Sequence, residues 1–159
     1  MAIFFKQLFL SILFFIPFLL SAQSNKSPIS KHYNAKNNVA VEGYDVVSYF
    51  KGKEPEQGKK QFASMVDGIT YYFANPQNAE AFKKSPVSFM PQFGGWCAYA
   101  MGNTGEKVEV DPETYKIIDG KLYLFYNKLF NNTLKSWNKM EASLKSKAHL
   151  NWQKLLKSN

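Results

Sequence analysis

The chain has 159 residues, of which 45% are hydrophobic and 16% aromatic. This composition supplies enough apolar side chains for a packed core and excludes a wholly disordered chain. The formal net charge is +8, but all 20 basic residues are Lys, and the lack of Arg disfavours nucleic-acid recognition. A single Cys excludes a disulfide framework within the chain and a zinc site built from several thiolates.

The amino terminus has the features of an export signal. Lys6 precedes an apolar run over residues 8–20, and the small residues Ser21 and Ala22 follow it directly. The run is short for a bilayer span but has the usual length of a signal-peptide core. We therefore expect residues 1–22 to be a cleaved signal peptide, with an uncleaved anchor as the alternative. The mature protein is expected to be exported, either periplasmic or secreted, with no stable membrane span after cleavage.

The segment after the signal, residues 23–38, is rich in Ser, Asn and Lys and has no periodic apolar positions. Such a composition is typical of a flexible leader outside a fold. His32, one of two His residues, falls in this predicted leader. A single domain is expected to follow it over residues 39–157.

The first predicted elements of this domain are a capped turn and a hairpin. Residues 43–50 predict a turn followed by a short helix that Asp45 caps. Asp67-Gly68 separates two apolar runs. It predicts a β-hairpin, because both residue types tolerate the positive φ that a two-residue hairpin turn needs.

A helix is predicted after this hairpin. Asn75 suits the N-cap and Pro76 suits the first helical position. The helix should therefore begin at Pro76, run to about Lys84 and stop before Pro86.

The most unusual segment combines a Gly pair with the only thiol of the chain. Gly94-Gly95 directly precedes Trp96 and Cys97. Strand alternation after the pair would place Cys97 and Tyr99 on one face. Because Gly permits close backbone approach, the pair could direct backbone N–H groups at the sulfur and stabilise its thiolate.

Any chemistry of this protein would depend on Cys97. A lone Cys among aromatic side chains is often a small buried hydrophobe. An unpaired thiol in an exported protein is nevertheless open to oxidation, which favours a function for it. Its thiolate would suit a soft metal ion such as Cu(I), with Met101 or His149 as further ligands.

The carboxyl-terminal part predicts a second hairpin and then helices. Asp119-Gly120 repeats the first hairpin signal. Beyond Lys128 the apolar spacing becomes helical, and from Lys128 onward the chain has seven Lys against one acidic residue. We expect these helices to pack against the sheet with Lys as the solvated face; a helix lying on an anionic membrane surface is the alternative. The expected apolar positions are Phe130, Leu134, Trp137, Leu144, Ala148, Trp152 and Leu155. Hairpins mixed with helices predict an α+β fold.

Five segments carry distinctive combinations of Gly, aromatic and acidic residues. They are residues 42–50, which include Tyr44 and Asp45, and residues 71–73, 94–99, 110–113 and 118–124. In this order they resemble the small secreted YHS-domain proteins of bacteria. With Asn127 and Asn151-Trp152 the resemblance covers most of residues 39–152, so it implies a YHS-like domain.

Metal-binding relatives of that family, in heavy-metal ATPases and TRASH-type domains, typically have three Cys ligands. The corresponding positions in this chain are Ser48, Ala74 and Asn78, whose side chains cannot replace thiolates around a soft metal. The resemblance therefore implies that this metal site is lost. The secreted subgroup shares the motif that ends at Cys97. Some relatives carry selenocysteine in place of a Cys, which at this position would imply redox or soft-metal chemistry.

Three functions remain open at this point. The first, which we favour, is a binding module that holds copper or another soft metal ion through Cys97. The second is a thiol redox protein, in which an external thiol partner would have to resolve each mixed disulfide because the chain has no second Cys. The third is a structural or interaction domain with an inert Cys. The pattern favours a binding protein over an enzyme.

Overall fold

A computed structural model describes residues 28–158 of the protein. The predicted signal peptide, residues 1–22, lies outside the described residues. Hairpins and helices alternate along the described chain, which confirms the predicted α+β class.

The largest sheet of the described chain has four strands. In spatial order they are β1 (Ala35–Lys36), β2 (Val39–Ala40), β4 (Ile69–Phe73) and β3 (Lys59–Val66). β3 and β4 are the predicted hairpin, and the φ angles of Asp67 and Gly68 are 51° and 79°. β2 pairs with β4 in parallel, and β1 lies antiparallel to β2 at the edge.

Two antiparallel strand pairs lie outside this sheet. They are β5 (Asp111–Ile118) with β6 (Lys121–Phe125), and β7 (Asn127–Lys128) with β8 (Asn131–Asn132). The first pair is the hairpin predicted at Asp119-Gly120. The second pair corrects the sequence prediction, which placed helical structure directly after Lys128. Instead the chain folds back at Leu129 and Phe130 before a helix begins.

The helices of the described residues are α1 (Pro76–Lys84), α2 (Pro86–Phe89), α3 (Ala98–Asn103), α4 (Thr133–Lys139) and α5 (Glu141–Lys157). Short 3₁₀ turns occur at Pro28–His32, Val41–Gly43, Ser48–Lys51 and Gln92–Gly95. α1 confirms its prediction, since Asn75 Oδ1 accepts the amide of Asn78 at 2.9 Å. Between residues 28 and 158 there is no helix with the length and apolar character needed to cross a bilayer.

Two apolar clusters form the core. The first lies around the four-stranded sheet and includes Tyr49, Tyr71, Phe73, Phe82 and Cys97. The second joins β6 to the carboxyl-terminal helices and includes Phe93, Met101, Phe125, Trp137 and Leu144.

The carboxyl-terminal helices pack into the second cluster. Trp137 is fully buried, and its Nε1 donates to Glu141 Oε2 at 3.1 Å, whereas Trp152 is half-buried. α3 and α5 approach so closely that a Cβ at Gly102 would lie 2.5 Å from the carbonyl oxygen of Leu144. These helices therefore contribute to the core, as the sequence predicted.

The predicted flexible leader differs from the structure over residues 28–38. Within them the amino-terminal strap, residues 30–36, belongs to the fold: His32 is buried, and the Asn34 amide donates to the Gly94 carbonyl at 2.8 Å. Backbone and side-chain hydrogen bonds hold much of the strap, so it needs no periodic apolar stripe. Residues 23–27 of the predicted leader lie outside the described residues.

The strand predicted after Cys97 is also wrong, because these residues form α3. The Met101 amide donates to the Cys97 carbonyl at 3.0 Å, in the i to i−4 pattern of an α-helix. A run of about six alternating residues is too short to separate strand from helix, and here the packing against α5 decides.

Candidate functional site

The three positions expected for lost metal ligands lie around one buried carboxylate. Asp45 is fully buried, and its Oδ2 accepts the Ala74 amide at 2.8 Å and also Nδ2 of Asn78. The Ser48 hydroxyl donates to the Asp45 carbonyl at 2.6 Å. We call these four residues the Asp45 cluster. Ser48, Ala74 and Asn78 lie close together, as the ligands of one metal ion would. Here each of them donates a hydrogen bond to Asp45 instead.

Further hydrogen bonds complete the Asp45 cluster. The Val47 amide donates to Asp45 Oδ1 at 2.9 Å, and Lys51 Nζ donates to Asn78 Oδ1 at 2.6 Å. The preceding motif residue, Tyr44, donates to Glu113 Oε1 at 2.8 Å, and this bond raises the pKa of Tyr44 because it stabilises the protonated phenol. Asp45 and Tyr44 thus tie distant segments together, which is a structural role.

The Gly94-Gly95-Trp96 motif holds the amino-terminal strap. Besides the bond at Gly94, the Gly95 carbonyl accepts Nδ2 of Asn34 at 3.2 Å, and Trp96 Nε1 donates to the His32 carbonyl at 2.6 Å. Gly94 has a φ of 61°, and a Cβ there would lie 2.9 Å from Cη2 of Trp152. Glycine is therefore required here for close packing.

Cys97 lies directly before α3 with its side chain fully buried. The backbone N–H of Tyr126 donates to Sγ at 3.4 Å, and Thr133 Oγ1 lies 3.4 Å from Sγ. The Thr133 hydroxyl donates to the Tyr126 carbonyl at 2.9 Å. Because a hydroxyl has one proton, Oγ1 is left to accept the S–H of a neutral thiol. The Cys97 and Thr133 side chains thus close a ring of hydrogen bonds with the Tyr126 backbone.

The same residues line a cavity of about 280 Å³, which we call the Cys97 cavity. Cys97 and Thr133 are its buried residues, and Tyr99, Val108 and Tyr126 are half-buried. Its exposed lining residues are polar, among them Asn103, Glu106 and Asn131. The cavity therefore changes from an apolar, aromatic interior to a polar surface, as small-molecule sites commonly do.

Neither predicted helper of Cys97 lines this cavity. Met101 is fully buried in the second core cluster. His149, on α5, has Nε2 3.4 Å from the Tyr123 hydroxyl. Partial burial, followed by the charge of Lys145, lowers the pKa of His149. The Cys97 sulfur is thus the one soft donor among the cavity residues, and these residues do not by themselves complete a Cu(I) site. Over residues 28–158, no group of three or more His, Cys, Asp or Glu is placed to hold a metal ion.

Sequence reasoning missed a groove of about 500 Å³ beside Trp96. The strap supplies part of its lining through Tyr33, Asn34 and Lys36, and these residues fall in the predicted leader. The half-buried Trp96 pointed to this surface, since an aromatic ring beside a Gly pair commonly marks a packed or binding segment. The groove carries charges of both signs, which leaves its ligand preference undefined.

Next to this groove, Lys107 contacts both an aromatic ring and the strap. Its Nζ lies 5.8 Å from the centroid of the Trp96 ring and 3.5 Å from Nδ1 of His32. Burial, followed by the charges of Lys107 and Lys31, lowers the pKa of His32. The neutral imidazole is therefore the form that suits this fold.

No protein-family model, no curated protein and no solved structure matches this chain. Membership of the YHS family therefore stays a prediction from the sequence motifs. Function has to be inferred from the residues and geometry of the site rather than from a relative.

Proposed function

We propose that the protein is an exported binding module with a YHS-like domain, and that the Cys97 cavity is its ligand site. The observation that carries this proposal is a buried thiol on the wall of a cavity that Tyr99 and Tyr126 also line. An apolar, aromatic interior with polar groups at the surface suits a small organic ligand. At about 280 Å³ the cavity is close to the lower end of the range for ligand sites, so the ligand is small.

The chemistry of the lining favours an uncharged ligand with an aromatic or aliphatic part. The half-buried rings of Tyr99 and Tyr126 offer apolar faces to such a ligand. Glu106 is exposed among the lining residues and disfavours anions. Because Cys97 has no exposed surface, the ligand would contact mainly the tyrosine rings and would leave the hydrogen-bonded ring at the sulfur intact.

A soft metal ion is the second candidate. The Tyr126 amide, 3.4 Å from Sγ, would stabilise a thiolate as well as a thiol. Because the cavity offers one soft donor, the ion would bind there only with additional ligands of its own, such as a small thiol. Thiol redox activity has less support, because the sulfur is fully buried and is hydrogen-bonded to the Tyr126 N–H and to Thr133 Oγ1.

An NMR titration of the mature protein with a library of small uncharged fragments tests the first candidate. We expect chemical-shift changes confined to the cavity residues, and Ala100→Leu, which fills the cavity, should abolish them. Ala142→Leu, at an exposed position on α5, is the matched control and should leave binding unchanged. If no fragment binds, or if the filled variant binds equally well, the cavity is not a ligand site for such molecules.

A Cu(I) titration against a competing chromogenic chelator tests the second candidate. Wild type should bind at least about tenfold more tightly than Cys97→Ser if the sulfur is a ligand, a difference of about 1.4 kcal/mol. Equal affinities would remove the metal from consideration. Failure of both titrations would overturn the binding function at Cys97 and leave a structural or interaction domain.

Export is tested separately from binding. The sequence supports removal of residues 1–22, which would leave a mature chain that begins near Gln23. The intact mass of the protein isolated from its native host should match that chain. A protein that retains Lys6 and stays in the membrane fraction would show an uncleaved anchor instead.

A further inference from the structure

The two most exposed large apolar side chains of the described residues are neighbours at the end of the β7–β8 hairpin. Leu129 is 89% exposed and Phe130 is 109% exposed. We call this pair the hairpin tip. Isolated apolar residues are common on protein surfaces and need no explanation, but two adjacent ones on a projecting turn have no packing role within the described chain.

The backbone of the hairpin tip is strained. Leu129 and Phe130 have φ angles of 51° and 66°, as a two-residue hairpin turn requires. Asn, Asp and Gly tolerate these angles, and the three other hairpins of the described residues place Asn37-Asn38, Asp67-Gly68 and Asp119-Gly120 at the same positions. Leu and Phe have no local interaction that offsets the strain, so folding alone would not favour them here. Strain combined with exposure points to a contact outside the chain.

The surroundings of the hairpin tip in the sequence are basic. Residues 126–140 contain three Lys and no acidic residue. Lys128 is exposed within the hairpin, and Lys135 is exposed in the first turn of α4, directly after it. Long Lys side chains can leave their apolar stems near an apolar phase while the ammonium groups contact anionic headgroups. Glu42 and Glu109 line a groove together with Lys128, so the charge on that side is mixed, and it is Lys128 and Lys135 that favour an anionic lipid surface.

We propose that the hairpin tip inserts into the interface of an anionic lipid bilayer. Two-residue strands reach about 7 Å, which matches the roughly 5–10 Å depth at which interfacial segments bury their apolar side chains. Leu129 and Phe130 enter the acyl boundary, while Lys128 and Lys135 remain among the headgroups. With two inserted side chains the association is weak and reversible, and added salt weakens it further.

Co-sedimentation of the mature protein with vesicles tests this proposal. Wild type should sediment with mixed phosphatidylglycerol and phosphatidylcholine vesicles, and sediment far less with phosphatidylcholine alone. The double variant Leu129→Asn, Phe130→Gly should reduce binding to the mixed vesicles at least about tenfold. It should also melt at a higher temperature, because Asn and Gly relieve the turn strain. A higher melting temperature would show that the loss of binding is not caused by misfolding.

Two further variants separate the apolar and the charged contributions. Val87→Asn removes an apolar side chain that is 72% exposed elsewhere and should leave vesicle binding unchanged. Lys128→Gln with Lys135→Gln should weaken binding several-fold at low salt and little at high salt. The proposal is overturned if wild type does not bind anionic vesicles. It is also overturned if the double variant Leu129→Asn, Phe130→Gly binds them as tightly as wild type does. Self-association of wild type that the tip variant loses, without vesicle binding, would also overturn it and assign the tip to a second copy of the chain.

Discussion

At Asp45 a buried carboxylate accepts three N–H donors, whereas at the hairpin tip two apolar side chains project into solvent from a strained turn. At Asp45 the residue type suits both its local backbone and its tertiary contacts. At the hairpin tip, Leu and Phe suit neither the positive φ angles of the turn nor exposure to solvent. Conflicts of this kind concentrate where a protein contacts something else. Cys97 lies between these extremes, because its hydrogen bonds are satisfied but its cavity opens at the surface.

Replacing the buried carboxylate should have the largest effect on stability. Asp45→Ala leaves the N–H groups of Val47, Ala74 and Asn78 without their acceptor, and we expect the free energy of unfolding to fall by about 3 kcal/mol or more. Urea denaturation followed by circular dichroism measures this loss. Glu54→Ala removes an exposed carboxylate and should stay within about 0.5 kcal/mol. Similar values for both variants would mean that the Asp45 cluster does not stabilise the fold.

The Gly94 contact with the strap and Trp152 should have the next largest effect. Gly94→Ala combines a left-handed φ with a Cβ only 2.9 Å from Trp152, and we expect a loss of about 2 kcal/mol. Gly120→Ala is the matched control, since Gly120 has a φ of 68° and nothing within 4 Å of its added Cβ. It should cost about 1 kcal/mol, from backbone strain alone. Equal losses in thermal or urea unfolding would contradict the close packing of the strap.

Substitutions of Cys97 distinguish hydrogen bonding from apolar packing. Serine can accept the Tyr126 N–H and donate to Thr133, so Cys97→Ser should cost about 1 kcal/mol. Cys97→Ala leaves the partly buried Tyr126 N–H without its acceptor and should cost about 2 kcal/mol. The order of the two unfolding free energies is the decisive measurement. If alanine is tolerated better than serine, the thiol acts as an apolar side chain and the ring of hydrogen bonds contributes little.

The pH dependence of stability should be the smallest of these effects. Burial and then the charges of Lys107 and Lys31 lower the pKa of His32, so the unfolded chain takes up the proton first as the pH falls. Stability should therefore be full above about pH 6.5 and decline as the pH falls from there through the lowered pKa of His32. His32→Gln should reduce this decline between pH 7.5 and 5.5 in urea unfolding.

A matched variant is needed because the pKa of His149 is lowered in the same direction. His149→Gln measures how much of the decline in stability at low pH comes from His149. The double variant His32→Gln, His149→Gln should show the smallest decline. An unchanged decline in His32→Gln would mean that the strap does not hold its imidazole neutral.

The sequence by itself determined the elements whose geometry depends on neighbouring residues. The hairpins at Asp67-Gly68 and Asp119-Gly120 follow from the positive φ that these residues tolerate, and the helix after Asn75 follows from its N-cap. The motifs also singled out Cys97, which the structure places on a cavity wall. Such signals are readable because they act within about four residues along the chain.

Only the tertiary structure decided what surrounds Cys97. The sequence offered Met101 and His149 as helpers, but the sulfur instead contacts Tyr126 and Thr133, which are 29 and 36 residues away. The strap likewise depends on Gly95, which lies 61 residues from Asn34. Hydrogen bonds across such separations leave no periodic pattern, and the two-residue strands β7 and β8 are too short to show one. Because Leu129 and Phe130 contradict the usual turn chemistry, local rules extend a helix through them, and only the folded chain brings them to an exposed turn.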